Sequence, residues 1–517
     1  MDYLGNLNPS WRNVAGVVVA YYGTLVFYRL FLHPLARFPG PKLAAISRWY
    51  EAYYDLIQGG QYTPKIVELH KQYDLEITSP PPKTGPIIRI SPHELHVIDP
   101  AFFEKLYRQD GHWDKPAWNY GAFGAKVSTI FCTDHATHKA RRHAIASFFS
   151  KAKVTARQEL IRQNVDKLCG RIFKYADTTA TFNLGAAVSA YTRDTANEFI
   201  VGKKYNELDE KEFGVELSHA SQGGGLMWRT TKHIRWFGPT IRSIPIDWVM
   251  KSADEGTKAF LRYLQQSEQD TKDTLAGIVA PSPSEATQNT MAYDIVNSKL
   301  PPSEKTFDRI FEEIATVTGA AFETTASTIR LILFHVFSNK EILERLRAEV
   351  TTTTAKSPEP AQLQTLEQLP YLTAVLMEGL RMSPGLASRT PRVSDKDLWY
   401  SSWRIPAGTP VGMTVFLMHT DEALYPEPTR FDPERWVGAA RKTSEKTFAP
   451  FSRGTRICLG MYLAWAEMYL VLAALVQNFD FEFPDATAAD FEFESDRFTI
   501  GTKAGCNLMA RVTPREV

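Results

Sequence analysis

One cysteine stands in "FSRGTRICLG", residues 451–460, between two glycines and two positions past an arginine. Gly454 and Gly460 strip side chains from both sides, so the backbone there can approach a flat or bulky group. Arg456 supplies a fixed positive charge close to Cys458. The segment that follows, "MYLAWAEMYLVLAALVQNF", reads as a strongly apolar helix, which puts Cys458 just ahead of a helix N-terminus. Helix dipole and arginine both favour the thiolate, the form that binds metal. The other cysteines, Cys132, Cys169 and Cys506, are distant in sequence and form no C-x-x-C pair. Zinc-finger and dithiol chemistry are thereby excluded, and so sparse a set suits a reducing compartment. A lone thiolate bounded by glycine and arginine suits axial ligation of haem iron, with the arginine meeting an anionic group of the cofactor. The plain alternative is a buried structural cysteine.

Three further stretches carry chemistry-bearing residues. In "EGLR", Glu378 and Arg381 are three apart and share one helix face, where they can pair; "FDPERW" adds Arg435 downstream. On its own such a pair is most often a solvated surface contact. "TGAAFETTAS", residues 318–327, lines up Gly319, Ala320 and Ala321, small enough to admit a flat cofactor and a diatomic ligand. There the hydroxyl of Thr324 can bond the carbonyl of Ala320 and loosen the helix ladder. "DHATHKARRH", residues 134–143, crowds histidines and basic residues into one helical stretch, but His135 and His138 lack acidic partners for a metal site.

The elements that must position these residues are mainly helical. Amphipathic segments run over 152–176, 256–270, 304–337, 340–350 and 367–382. Strand-like pieces are short: "PIIRIS" at 86–91, "ELHVI" at 94–98 and "TPVGMTV" at 409–415. Prolines over 281–305 suggest a loop before the long helix, and "DLEITSPPPKT", residues 74–84, reads as a surface loop. The 517 residues are 44% hydrophobic with a net charge of +1, enough for a large core and without the basic footprint of nucleic-acid binding. From Val14 to Tyr28, fifteen residues carry no charge; extended through Leu32, the run would span about 28 Å as a helix, close to a bilayer core. Arg29 can snorkel, and Arg37, Lys42 and Arg48 on the C-terminal side place the bulk of the chain on the cytoplasmic face. A single-pass anchor explains this better than a cleaved signal peptide or a buried helix. "HPLARFPGPK" then reads as a stiff connector.

Phe451, Gly454, Arg456, Cys458 and Gly460 match F-x-x-G-x-R-x-C-x-G, the haem-binding signature of the cytochrome P450 family. The chain resembles that family from "HPLARFPGPK" to its C-terminus. The resemblance implies the P450 fold, mainly α with a small β subdomain, behind an N-terminal transmembrane helix. Residues 1–32 would be the membrane anchor and 33–517 the haem-thiolate monooxygenase domain, on the cytoplasmic side of the endoplasmic reticulum membrane. The implied cofactor is haem b with Cys458 as axial ligand, reduced from NADPH through a separate NADPH–cytochrome P450 reductase.

By the same resemblance, Glu378, Arg381 and Arg435 form a buried charged network around the haem, and His138, Arg142 and Arg392 join Arg456 at the propionates. Glu323 and Thr324 would deliver protons during oxygen activation. The segment departs from the family's A/G-G-x-D/E-T-T once, where Ala321 replaces glycine and is expected to tighten the oxygen pocket. Candidate pocket walls are Trp113 to Phe123, Leu226 to Phe237, Ala315 to Ala320 and Leu386 to Ser388; their apolar character implies a lipophilic small-molecule substrate. "RWYEAYYDLI", "ELHVIDPAFFEKLYRQ" and "MWRTTKHIRWFGP" are similar to the fungal trichodiene-oxygenase group. The expected reaction is hydroxylation or epoxidation of a sesquiterpene-like secondary metabolite. The alternatives are a polyketide or alkaloid substrate, or oxidative coupling or desaturation without oxygen insertion. A haem-binding partner without turnover and a cysteine-nucleophile hydrolase are the readings from other classes.

Overall fold

In the computed structural model, residues 11–75, 87–121, 124–125, 127–176, 180–354, 361–515 are described. Thr306 caps the longest helix, Phe307–Phe337, by accepting from the Arg309 amide. Its buried stripe, Ile310, Ile314, Phe322, Ala326, Ile329 and Leu333, follows the three-to-four spacing of a core-facing helix. That stripe packs on Leu184–Val201, itself buried along nearly its whole length, and both helices join Gln158–Ala176 and Met461–Asn478 in one large core cluster. Each large apolar side chain so buried contributes roughly 1.5–3 kcal/mol.

A five-stranded sheet stands beside the helices, in the order Ile87–Ser91, Glu94–Val97, Pro410–Gly412, Arg392–Ser394, Trp113–Asp114. The first two strands form a hairpin, with Ile87 opposite Val97. Glu94–Val97 runs parallel to Pro410–Gly412, with Leu95 opposite Val411. The hairpin Phe493–Arg497/Thr499–Thr502 reaches the loop after the helix Pro370–Met382, where the Ala387 amide donates to the Phe498 carbonyl (3.0 Å).

Several boundaries differ from the sequence reading. The helix expected over 152–176 breaks at Arg157, whose guanidinium stacks 4.1 Å from the Phe199 ring centre and donates to the Phe199 carbonyl (2.9 Å). The helix expected from 367 starts at Pro370, because proline suits a first helical turn and its predecessor is steered out of helical conformation. "TPVGMTV" is a strand only over Pro410–Gly412, and Val415–His419 is helical. Residues 281–305 are not a plain loop but contain the short helices Glu285–Gln288, Met291–Val296 and Pro302–Glu304, two of them capped by Ser284 and Thr290. Asp74 and Leu75 end the helix Tyr62–Leu75, and the rest of the 74–84 stretch lies outside the described residues, as does Phe123.

At the N-terminal side, Trp11–Phe27 is α-helical and continues as a π-turn, Tyr28–Leu32, with no buried residue. These 22 residues are long and apolar enough to cross a membrane.

Candidate haem site

The cysteine loop is held by its own backbone. The Cys458 amide donates to the Phe451 carbonyl (3.0 Å), and Gly454–Arg456 forms a single tight turn. Gly454 has φ +75°, and a Cβ there would lie 2.5 Å from the Arg108 carbonyl oxygen, so only glycine lets the loop seat on Tyr107–Arg108. Thr455 completes that seat by donating its amide to the Arg108 carbonyl (3.1 Å). Gly460 precedes the helix Met461–Asn478, and a Cβ on it would meet open space. Cys458 is exposed at contact range although protein surrounds it further out, the setting of a residue lining an internal cavity.

Arg456 anchors the far end of its guanidinium on backbone oxygens. It donates to the carbonyls of Cys132 (2.7 Å) and Thr133 (3.1 Å), and reaches toward those of Trp113 and Asp134. Burial pushes the Cys458 thiol up; the Gly460 amide and Arg142, not Arg456, pull it back, and the balance stays upward. A coordinating metal's charge is what deprotonates such a thiol outright.

Four cations gather beside the loop. His138 is pressed down to about 2 by burial and by Arg456, Lys115, Arg142 and Arg392, so its imidazole is neutral. Burial, then Arg392, Arg456 and Arg142, push the Lys115 ammonium well below its ordinary range. Its Nζ donates to the Ile130 carbonyl (2.7 Å) and lies 4.1 Å from the centre of the Tyr120 ring. Burial and Arg392 lower Arg456 to about 10, and its Nε–H is buried without a partner. Among the described residues none of these four cations is ion-paired. Asp114 acts on Arg456 only from a distance, its Oδ1 accepting from the His135 amide (2.8 Å). Buried charges are ordinarily paired. A cluster of unpaired cations next to an exposed lone cysteine, with a glycine cradle at Gly460, fits a haem with its two propionates.

The long helix offers the second wall. Gly319 and Ala320 are exposed in mid-helix, and a Cβ on Gly319 would meet nothing within 4 Å. Thr324 donates its hydroxyl to the Ala320 carbonyl (2.7 Å), the bond expected from the spacing. Gly385, after the helix Pro370–Met382, comes close enough that a Cβ would touch Thr324 at 3.5 Å. Ala321 packs against the core cluster, so its methyl is taken up by helix packing rather than by the open Gly319–Ala320 face. Glu323 is ion-paired to Arg330 (2.9 Å), which also donates to Ser189 (2.7 Å); the Glu323 Oε1 is buried without a partner.

Two buried charge networks brace these walls. On the cysteine side, Arg381 grips Glu378 through Nε and Nη2, both at 2.8 Å, and donates Nη1 to the His419 carbonyl (2.9 Å). Arg435 (3.3 Å), the Trp436 indole (2.9 Å) and the Asp432 amide (2.9 Å) also converge on Glu378. His419 accepts from the Ala449 amide (3.0 Å) and bonds the Arg381 carbonyl through Nδ1 (3.1 Å), which ties this network to the start of the cysteine loop. On the other side, Lys232 bridges Glu51 (2.9 Å) and Asp55 (2.5 Å), and Arg389 bridges Glu51 (2.8 Å) and Glu94 (2.7 Å). Ser388 and Thr63 donate to Asp496 at 2.6 and 2.8 Å. This second network links the end of the helix Val215–His233 to the Leu386–Ser388 wall.

Lys115 and Tyr120 lie in the stretch read as the Trp113–Phe123 wall, Lys232 in the Leu226–Phe237 wall and Trp436 in "FDPERW", but no local spacing marks their roles, and none marks His419 or the pairing within the second network.

The family model described as cytochrome P450 matches residues 66–505. The chain is a cytochrome P450. The P450 is 32% identical over 506 residues to tryptophan 6-hydroxylase fscE of Fusarium equiseti, covering 97% of each chain. To cytochrome P450 monooxygenase TRI4 of Fusarium sporotrichioides it is 32% identical over 495 residues, 95% of this chain and 92% of that one. Its fold matches the crystal structure of the cytochrome P450DA haem domain with a TM-score of 0.67 at 16% identity, over 90% of this chain and 95% of that one. The P450 is thus a haem-thiolate monooxygenase of the kind used in fungal secondary metabolism, drawing electrons from a redox partner.

Proposed function

We propose that this P450 hydroxylates or epoxidises a lipophilic secondary metabolite of sesquiterpene type, with Cys458 as the residue that would hold the iron of haem b. The observation that carries the cofactor assignment is the set of unpaired cations, one of which, Arg142, acts on both His138 and Cys458. Haem, when bound, supplies oxygen activation at its iron. The neutral His138 and the cations Lys115, Arg142, Arg392 and Arg456 orient the propionates by donating hydrogen bonds. Thr324 keeps its hydroxyl proton on the Ala320 carbonyl, which leaves the Oγ lone pairs free to accept from a proton carrier on the open side of the helix. Glu323, with one oxygen held by Arg330 and one unpartnered, is the carboxylate whose free oxygen would take up a proton and pass it to that carrier. Residues 1–32 anchor the enzyme in the endoplasmic reticulum membrane, and residues 33–517 work on the cytoplasmic side with NADPH–cytochrome P450 reductase.

Cys458→Ala is expected to abolish the thiolate-type ferrous–CO absorption band; an unchanged band defeats the ligand assignment. A second substrate reading rests on the relative named tryptophan 6-hydroxylase, matched over 97% of its length, and points to an indole-bearing substrate of the alkaloid class. Optical titration of the haem-loaded enzyme separates the two. A spin-state shift with sesquiterpene hydrocarbons and none with N-acyl tryptophan supports the terpenoid, and the reverse supports the indole.

A further inference from the structure

The joint between the apolar helix and the catalytic domain is built from basic groups. His33 follows directly on Leu32, and its Nε2 lies 3.3 Å from Nδ1 of His93, at the turn of the first hairpin. Arg89, buried in the strand Ile87–Ser91, donates to the Arg29 carbonyl (2.8 Å) and the Pro92 carbonyl (2.8 Å). Arg29 in turn donates to the Ile46 carbonyl. Each guanidinium keeps a buried Nε–H without a partner. A third, Arg48, stacks 4.2 Å from the centre of a Trp118 ring and also has a buried unpartnered N–H, on Nη1.

None of Arg29, Arg48 and Arg89 is ion-paired among the described residues. Glu51 and Glu94 act on Arg48 from outside contact and are themselves bound to Arg389. Burial and the surrounding guanidinium groups hold His33 below its ordinary range, and burial, His33, Arg48, Arg29 and Arg89 hold His93 down at about 4. A bound anion would relieve that mutual repulsion.

A helix of 22 residues rises about 33 Å, slightly more than a bilayer's hydrocarbon core of about 30 Å, so Arg29 to His33 lie at one edge of that core, where a long basic side chain reaches the headgroup layer. Phe31, Leu32, Leu43 and Trp49 are all exposed around the joint, the apolar and aromatic collar expected at an interface.

We propose that Arg29, Arg89 and His93 form a binding site for the headgroup phosphate of a net-anionic phospholipid, with His33, its Nδ1 accepting from the Leu35 amide (3.1 Å), orienting His93. A zwitterionic headgroup fits less well, because its ammonium would enter a cluster that already lacks negative charge. The site rests on the reading of residues 1–32 as a membrane anchor.

The test uses the full-length, haem-loaded enzyme in phosphatidylcholine discs made with and without phosphatidylserine. Lipids that remain with the protein after gentle detergent extraction are quantified. Wild type is expected to retain phosphatidylserine several-fold above its share of the disc, and Arg29→Gln/His93→Gln to retain it only in proportion to that share. The double variant should still insert and keep the ferrous–CO band. Enrichment unchanged in that variant, or lost equally in Lys42→Gln outside the site, overturns the proposal in favour of general surface charge. A protein that alkaline carbonate strips from discs of either composition overturns the anchor reading and the site with it. A protein that stays inserted without enriching phosphatidylserine overturns the site alone.

Discussion

The cysteine side and the side of the proposed substrate walls are each braced by buried charges, but the two networks are built differently. Glu378 receives five donors from a helix, a loop and an indole, and its counterion Arg381 lies one helical turn away. Every partner except Arg381 comes from the segment Asp432–Trp436, so the network is compact and centred on one carboxylate. The substrate-side network is a chain of bridges: Lys232 joins Glu51 to Asp55, and Arg389 joins Glu51 to Glu94. Its members come from four distant segments and share their charge. Loss of one member should therefore collapse the first network and only rearrange the second.

Arg381→Met tests the first half. It leaves the buried Glu378 with Arg435 as its one remaining cation, on a single oxygen at 3.3 Å, and frees the carbonyls of His419 and Arg430, so a cost of about 3–5 kcal/mol is expected. Because His419 continues to the Ala449 amide, the cysteine loop loses its support, and little haem-loaded protein should be recovered. A folded, normally absorbing Arg381→Met enzyme would show that Arg381 does not support the cysteine loop.

Lys232→Met should cost about 3 kcal/mol, at the lower end of the same range, since Arg389 still pairs with Glu51 and His233 still reaches Asp55 (2.8 Å). Here the haem spectrum should survive. What changes is substrate affinity, because Lys232 fixes the end of the helix Val215–His233 beside the Leu386–Ser388 loop. A drop in ferrous–CO absorption with unaltered substrate binding would reverse the roles assigned to the two networks.

The two networks also differ in how far the sequence reveals them. E-x-x-R announces a pair because three residues apart on a helix means one face. The Thr324–Ala320 bond was legible for the same reason, as was the need for glycine at position 454 within the cysteine signature. Lys232 and Glu51 are 181 positions apart and Arg389 and Glu51 are 338 apart, and charge at such distances has no periodicity to read. Direction was equally hidden. Arg456 sits two residues from Cys458, yet its side chain turns to the Cys132–Asp134 backbone, while Arg142, far away in sequence, is the cation that acts on the thiol. Spacing shows which residues share a helix or a loop; the tertiary packing decides which way a long side chain points.

Acid separates the networks further. Burial, then Arg381, holds His419 down at about 3, so the folded protein keeps it neutral where an unfolded chain would protonate it. The unfolded state then binds more protons, and stability from His419 falls as pH drops from about 6.5 toward 3. Burial pushes Glu51 up, but Arg389 and Lys232 more than reverse it and hold it well below its ordinary range. Its stabilising contribution is present above the ordinary carboxylate range and is lost only at more acidic pH. Acid should thus loosen the cysteine side first. Urea unfolding of wild type and His419→Asn at several pH values checks this, since the variant should lose the part of the slope that begins near pH 6.5. Parallel curves for the two proteins would remove His419 from the account.

The smallest expected difference compares single hydrogen bonds. Trp436→Phe removes one donor to Glu378, and Ser388→Ala one donor to Asp496. Each deletes a bond to a buried carboxyl, worth about 1.5–3 kcal/mol for a charged acceptor. Glu378 keeps both its oxygens clamped by Arg381. Burial already pushes the Asp496 carboxyl up against the pull of Ser388 and Thr63. Without Ser388 it can take a proton instead of remaining an under-bonded anion, which limits the cost. A carboxyl raised in the folded state makes that state bind more protons, so the Ser388→Ala penalty should shrink as pH falls, while the Trp436→Phe penalty should hold steady across the same window. Equal penalties with the same pH dependence would mean that the two sites share one kind of electrostatics, and the contrast between clamped and shared charge would be lost.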